Sequence, residues 1–385
     1  MAGIYVHIPF CGQFCTYCNF YSVKGKGYRE KYISALCAEA YLRKDFFRNT
    51  GVSPRTIYFG GGTPSVFSPQ ILGEILLYIK ECFGISPQEV SIEVNPDDIT
   101  PQYARELFDA GFNRVSMGVQ SFVDSHLLWM NRRHDSSGAQ EAYRNLRDAG
   151  FENISLDLIF GYGGLTPQLW EYNLRKMVEL SPEHISAYQL SIEPGSALGK
   201  MYEKGEYELV PDDICNNQYS FLQEFLSANG YEQYEVSNFA KRGSDGKLMK
   251  SLHNSSYWTK EPYLGLGPAA HSFSGNVRSW NSSSVAKYCR HYLSAKGDTA
   301  PDAPLLCGES EVLSLTDMFN ESIMLGLRTV AGVDLSLLDK SKVQEIAPEI
   351  RRHVRLGNLV ADGDKIRIPS SRLFVSDGII RDLFI

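Results

Sequence analysis

Two hydrophobic periods alternate along the first half of the chain. Short β-branched and aromatic runs at 4–8, 56–59, 90–94, 114–119, 154–159 and 184–190 read as buried strands. Between them lie segments with helical spacing: 28–47, 69–83, 101–110, the stretch leading to Gly150, and 167–180. The third begins with Pro101 and stops at Gly111, as helix ends commonly do. Strands alternating with helices predict βαβ units and a parallel sheet. Six such units predict an α/β fold, an open three-quarter TIM-type barrel. In barrels of this kind chemistry gathers at the C-terminal ends of the strands.

The unusual residues fall at that end. Cys11, Cys15 and Cys18 follow the first strand with C-x3-C-x2-C spacing, and Gly60-Gly61-Gly62-Thr63-Pro64-Ser65 follow the second. Glu93 lies near the end of the third, Gln120 and Ser121 follow the fourth, Asp157 lies on the fifth, and Glu193-Pro194-Gly195 follow the sixth. Iron–sulfur cubanes are normally held by four thiolates, so three would leave one iron open to a small molecule. That arrangement resembles the cluster motif of the radical S-adenosylmethionine (SAM) superfamily. Two other readings stay open: a zinc ion with His7 as fourth ligand, and buried, unreactive cysteines.

The neighbouring residues have chemistry to offer such a centre. Glycines let backbone approach a ligand closely, so free N–H and C=O groups at 60–63 suit SAM's amino and carboxylate ends. Glu93 is either an acceptor for an ammonium or ribose hydroxyls, or a solvated charge. Asp157, between Leu156 and Leu158, must be hydrogen-bonded, as a ligand contact or as a helix cap. The guanidinium of Arg132 suits a carboxylate, unless Arg132-Arg133-His134 is a solvated helix end.

The second half is less periodic. Residues 209–228 read as a helix, 231–239 as a strand, and 241–250 as a polar loop. In His253-Asn254-Ser255-Ser256-Tyr257-Trp258 the histidine sits among aromatics, which suits a flat apolar ligand with an axial nitrogen donor; a structural histidine is the other reading. The Gly265-Leu266-Gly267-Pro268 run reads as a loop that closes over the barrel mouth. From residue 311 the pattern is helical at 318–327 and 343–356, then a hairpin at 359–368 with an Asp-Gly turn, then a helix at 373–384. Helices with a small hairpin predict a winged-helix-like C-terminal module. The expected divisions are a barrel at 1–230, an extension at 231–310 and this module at 311–385.

Composition adds exclusions. The net charge of −7 gives no global basic footprint, and residues 340–385, with nine Lys/Arg against six Asp/Glu, are too mildly basic to expect a nucleic-acid partner. The other cysteines, Cys37, Cys82, Cys215, Cys289 and Cys307, are scattered singly, as in a protein of a reducing compartment. A strand and a cysteine loop stand where a signal peptide would be, and no apolar run approaches the ~20 residues that span a bilayer. A cytoplasmic protein is expected, with at most peripheral membrane contact.

The chain resembles the HemW family of haem chaperones, radical SAM relatives of oxygen-independent coproporphyrinogen III oxidase. The resemblance is carried by 5–11, Gly60–Ser65, Gly118–Phe122, the His253–Trp258 motif and Ser376-Asp377-Gly378. The oxidase branch has Cys-x-Cys at the end of the cluster motif and an N-terminal arm; here the motif ends in Cys18-Asn19-Phe20 and starts near the first residue. The resemblance implies a [4Fe-4S] cluster on Cys11, Cys15 and Cys18. It implies a SAM site at Tyr5, Tyr17, Gly61, Gly62, Thr63, Glu93, Gln120, Arg132 and Asp157, and haem binding at His253. The implied function is to bind haem and pass it to an acceptor protein; coproporphyrinogen III oxidation is the alternative. One departure is Gly161-Tyr162-Gly163-Gly164-Leu165-Thr166, where the family has Gly-Leu-Pro-Gly-Gln-Thr. Losing the proline is expected to free that loop.

Overall fold

The computed structural model describes residues 2–25, 27–48, 50–294 and 306–385. The barrel half runs β1 (Ala2–Ile8), α1 (Arg29–Leu42), β2 (Pro54–Gly61), α2 (Pro69–Phe83), β3 (Glu89–Val94), α3 (Pro101–Asp109), β4 (Arg114–Gln120), α4 (Asp124–Trp129), α5 (Ser136–Asp148), β5 (Ile154–Phe160), α6 (Pro167–Leu180) and β6 (His184–Gln189). Strands β1 to β6 pair in sequence order, each parallel to the next. Their apolar residues are almost fully buried, as expected for strands covered on both faces. The expected open parallel barrel is therefore present.

The chain continues through α7 (Ala197–Glu203), α8 (Asp212–Ala228), β7 (Glu232–Gln233), β8 (Asn238–Ala240), α9 (Leu252–Trp258), β9 (Tyr263–Leu266), β10 (His271–Ser274), β11 (Val277–Asn281), α10 (Val285–Ser294) and β12 (Gly308–Val312). These strands extend the sheet at both edges, in the order β12-β11-β10-β9-β1-β2-β3-β4-β5-β6-β8-β7. The single strand expected at 231–239 is two short ones, β7 and β8, which pair antiparallel. The Gly265–Pro268 run does not form a lid. Tyr263–Leu266 is a strand parallel to β1, and the reason for its glycine is steric: a Cβ on Gly265 would lie 2.1 Å from the carbonyl oxygen of His271 on the adjacent strand.

The last part is α11 (Leu315–Leu327), β13 (Val333–Asp334), α12 (Lys340–Arg355), β14 (Val360–Asp362), β15 (Lys365–Arg367) and α13 (Ser376–Arg381). Its strands form a small antiparallel sheet, β13-β15-β14. Helix, strand, helix and hairpin in this order make a winged-helix-like arrangement. The hairpin turns on Gly363, with φ +58, and Asp364, because Asp362 still pairs with Lys365. Helix is broken in 373–384: residues 370–375 are 3-10 and α13 starts at Ser376.

Barrel and extension are joined by a carboxylate that the sequence reading passed over. Glu39 on α1 is completely buried. It accepts from Arg43 Nη1 (3.0 Å), Asn281 Nδ2 (2.7 Å) and Tyr292 Oη (3.2 Å) on one oxygen, and from Gly267 N (2.8 Å) and Tyr288 Oη (2.6 Å) on the other. A buried charge is tolerable only with partners of this kind. We expect Glu39→Ala to lower stability by about 3–5 kcal/mol, the range for breaking a buried ion pair. Chemical denaturation of the two proteins measures it; a loss too small to resolve would show that the remaining groups reorganise.

Candidate functional site

The β1–β2 ladder does not end with the strands. Beyond them Gly62 N donates to Ile8 O and Thr63 N to Phe10 O, both at 2.8 Å. The backbone entering the cysteine loop is thus clamped to the glycine run. A Cβ on Gly62 would lie 2.8 Å from Phe10 O, and one on Gly61, with φ +105, would lie 2.5 Å from the His7 ring. These glycines are required by close packing against β1. This corrects the expectation of free N–H groups there: Gly61 N also has a partner, Glu93 Oε2 at 3.1 Å.

The far side of the cysteine loop is pinned by the segment after α4. Thr16 donates through N to Met130 O (3.1 Å) and through Oγ1 to Trp129 O (2.9 Å), while Asn131 Nδ2 donates to Phe14 O (2.6 Å). Arg132 follows and turns inward. Its Nη1 is 3.3 Å from Cys15 Sγ, and Nη2 donates to Gly118 O (2.6 Å) and to Asn95 Oδ1. The residue is thus a cation beside the thiols rather than a solvated helix end. Thr63 Oγ1 is 3.5 Å from Cys11 Sγ. Tyr17 packs beside Arg132, Cys15 and Cys18, and burial raises its phenol well above the usual range.

Cys11, Cys15 and Cys18 are partly buried, unbridged thiols. Burial, then the neighbouring thiols, push Cys18 up to about 11. Around one zinc ion, with Zn–S near 2.3 Å, tetrahedral sulfurs would be ~3.8 Å apart. Among the described residues only Glu349, His353 and Asp382 bring three candidate ligand atoms all within 4.8 Å of one another, so the three thiols are not gathered that closely here. His7 does not complete a zinc site either. Its Nε2 lies 2.9 Å from Tyr21 O and its Nδ1 3.1 Å from Tyr5 Oη. Three spaced thiols with an adjacent guanidinium fit a larger, anionic cluster. Such a cluster, when bound, supplies one-electron chemistry and an open iron for a chelating ligand. Two buried atoms nearby have no partner among the described residues, Gln120 Oε1 and Arg132 Nε. An acceptor and a donor left open in this way fit a polar ligand.

Inside the barrel, Tyr5 stacks on Tyr58 with centroids 6.2 Å apart, and Tyr58 Oη donates to Glu93 Oε1 at 2.9 Å. Burial pushes the Glu93 carboxyl up to about 7. Asp157 accepts from Ser116 Oγ (3.2 Å) and Ser155 Oγ (3.4 Å), and burial pushes it up to about 6. Its protein contacts are therefore serines of β4, β5 and, through Ser186, β6, rather than a helix end. Sequence reasoning missed Arg114, which is almost fully buried with Nε and Nη1 unpartnered among the described residues. The signal was available: 114, 116, 118 and 120 alternate on one face of β4.

His253 lies on α9, whose first turn is held by Glu89: Leu252 N and His253 N donate to its carboxylate at 2.8 and 3.0 Å. The imidazole is 1% exposed and stacks on Tyr58 at 5.1 Å. Its Nδ1 is 2.8 Å from Thr56 Oγ1 and its Nε2 2.8 Å from Tyr257 Oη. Both nitrogens are engaged inside the protein, near the N-terminal end of β2 and away from the cysteine loop. Burial lowers its pKa to about 3, so the ring is neutral.

The loop after β5 is not freed by its missing proline. Tyr162 takes over: it is buried, stacks on Trp129 at 5.7 Å and meets His126 Nδ1 through Oη at 3.0 Å. Gln218 holds the loop's ends, accepting from Gly161 N (2.9 Å) and donating to Leu165 O (3.0 Å).

Glu93 and Asp157 both bind a proton more tightly folded than unfolded. Between their ordinary range near 4 and about 7, the folded state of the apoprotein holds more protons, so stability falls as pH rises. Thermal denaturation of the apoprotein from pH 5 to 7.5 should show this fall, and Glu93→Gln should flatten it. Parallel curves for the two proteins would assign the pH dependence to other groups.

Residues 5–176 match the family model of the radical SAM superfamily. The heme chaperone HemW of Bacillus subtilis is 34% identical over 86% of this chain and 85% of the relative. That of Mycobacterium tuberculosis is 30% identical over 99% of this chain and 94% of the relative. A solved structure of coproporphyrinogen III oxidase (HemN) from Escherichia coli, a radical SAM enzyme, superposes with a TM-score of 0.81 at 22% identity, covering 100% of this chain and 90% of that one. That likeness establishes the fold. No described helix is long and apolar enough to cross a membrane. Fold, cysteine loop and sequence relationship together place this chain in the HemW family of radical SAM proteins.

Proposed function

We propose that this protein is a cytoplasmic haem chaperone. It holds a [4Fe-4S] cluster on Cys11, Cys15 and Cys18, binds SAM beside it, and passes haem to an acceptor protein. The observation that carries the reading is the cysteine loop itself: three unbridged thiols clamped between the glycine run and Arg132, in a chain whose relatives include heme chaperones. Tyr5, Tyr17, Gly61, Gly62, Thr63, Glu93, Gln120, Arg132 and Asp157 are the proposed surroundings of SAM. Gln120 and Arg132 support this with their unpartnered atoms, and Glu93 with a carboxyl poised near neutrality. His253 enters the haem reading through Tyr257, whose hydroxyl it holds.

The oxidase alternative requires a chain that turns over coproporphyrinogen III. The test is anaerobic reconstitution with iron and sulfide, followed by haem loading and mixing with an apo-haem protein. We expect cluster absorption that any one of Cys11→Ala, Cys15→Ala or Cys18→Ala abolishes, transfer of the haem spectrum to the acceptor, and no protoporphyrinogen from coproporphyrinogen III with SAM and a reductant. Stoichiometric zinc without iron would overturn the cluster, and steady porphyrinogen turnover would overturn the chaperone.

A further inference from the structure

Beside the cysteine loop lies a cavity of about 530 Å³, within the range of small-molecule and cofactor sites. One wall is a face of the extension sheet, and its composition follows from register. Tyr263 on β9 lies opposite Phe273 on β10, and Phe273 opposite Arg278 on β11; one step along, His271 lies opposite Trp280. Cross-strand partners and alternate residues share a face. This face therefore carries three aromatic rings, an imidazole and a guanidinium. Tyr263 and Phe273 stack with centroids 6.1 Å apart, and His271 stacks on Trp280 at 5.8 Å. The opposite wall includes Tyr5, Tyr21 and, from the cysteine loop, Asn19 and Phe20; Tyr257, Lys260 and Glu321 also line the cavity.

Three histidines border or underlie this cavity, and they differ in one respect. His7 and His253 have both ring nitrogens engaged. The ring of His271 is exposed, and among the described residues neither of its nitrogens has a hydrogen-bond partner. Partial desolvation of the ring and the nearby Arg278 charge lower its pKa, which keeps a lone pair available. Of the cavity's two cations, Arg278 is paired with Glu321 at 2.5 Å and Glu311 at 3.6 Å. Lys260 donates only to neutral groups, Met318 O at 2.8 Å and Ser322 Oγ at 3.2 Å, and has no ion-pair partner among the described residues. Aromatic walls, one uncommitted imidazole and one unpaired ammonium are the recognition elements of a flat metalloporphyrin with carboxylate arms.

We propose that this cavity is the haem site, that His271 supplies the axial nitrogen, and that Lys260 meets a propionate. The inference rests on the haem-binding reading above and assigns its location. It places the porphyrin edge beside Asn19 and Phe20, at the mouth of the cysteine loop. His253 becomes a positioning residue that fixes Tyr257 against the cavity.

Titration of the full chain with haemin, followed by absorption and electron paramagnetic resonance spectra, tests the assignment. We expect His271→Ala to weaken binding about 10-fold or more and to lose the imidazole-ligand signature, which added imidazole restores. His271→Met should exchange that signature for a thioether one, which a merely unfolded protein would not do. Lys260→Glu should weaken binding with the spectrum unchanged, and His253→Ala should keep the wild-type axial signature. Wild-type binding with an unaltered His271→Ala spectrum and affinity would overturn the site alone, as would loss of the imidazole signature in His253→Ala. A wild type that takes up no haemin would overturn the haem-binding reading as well.

Discussion

A buried carboxylate with five donors decides how the two halves of this molecule meet. Glu39 reaches out of α1 to Asn281 on β11, to two tyrosines of α10 and to the backbone of Gly267. Gly267, at φ +103, lies so close to β1 that a Cβ would sit 2.6 Å from His7 O. Arg43, paired with Glu39, also donates to Gly265 O (3.1 Å) and Ser272 Oγ (2.9 Å) on β9 and β10. One ion pair thus fixes β9 against β1, and β10 and β11 follow through the ladder. The strand that delivers the cysteines and the sheet that walls the cavity share this support. In a low-dielectric interior a partly satisfied network would be worse than none, so its members act together.

The barrel was legible because its strands are buried on both faces and read as continuous apolar runs of strand length. The extension was not. Gly265-Leu266-Gly267-Pro268 has the composition of a loop, yet its glycines answer to steric contacts with β10 and β1 that no local pattern reports. Glu39 was invisible for a related reason. A glutamate in a helix is ordinarily solvated, and its burial here depends on tyrosines some 250 positions along the chain. Local periodicity carries no information about such partners.

At the site, residue types were legible and their partners were not. The cysteine spacing was read as a shared centre, and the structure commits His7, the fourth ligand a zinc reading would need, to Tyr5 and Tyr21. The glycine run was read as a cradle for a ligand. Its N–H groups at 61–63 are taken up by Glu93 and by the backbone of Ile8 and Phe10, so the run also ties the start of the cysteine loop to β2. Arg132 was read as a partner for a carboxylate, and in the structure two of its nitrogens serve Cys15, Gly118 and Asn95. The Nε left open is the one that a ligand reading can use.

The His-Asn-x-x-Tyr-Trp motif makes the same point about histidines. His253 and Tyr257 are four residues apart, so in a helix they stack one turn above the other. The motif is then a pair that satisfies itself, with Thr56 closing the other nitrogen. A ring so held is neutral and rigid, which suits it to place a neighbour rather than to bind an iron. His271 is the reverse case. It sits on an antiparallel strand with its ring on the cavity face, stacked on Trp280 and with no hydrogen-bond partner among the described residues. On the proposed haem-chaperone reading the cargo must also be released. Ligation by a side chain at an open wall would permit exchange, whereas ligation by His253 would break its bond to Thr56 or to Tyr257 at every transfer.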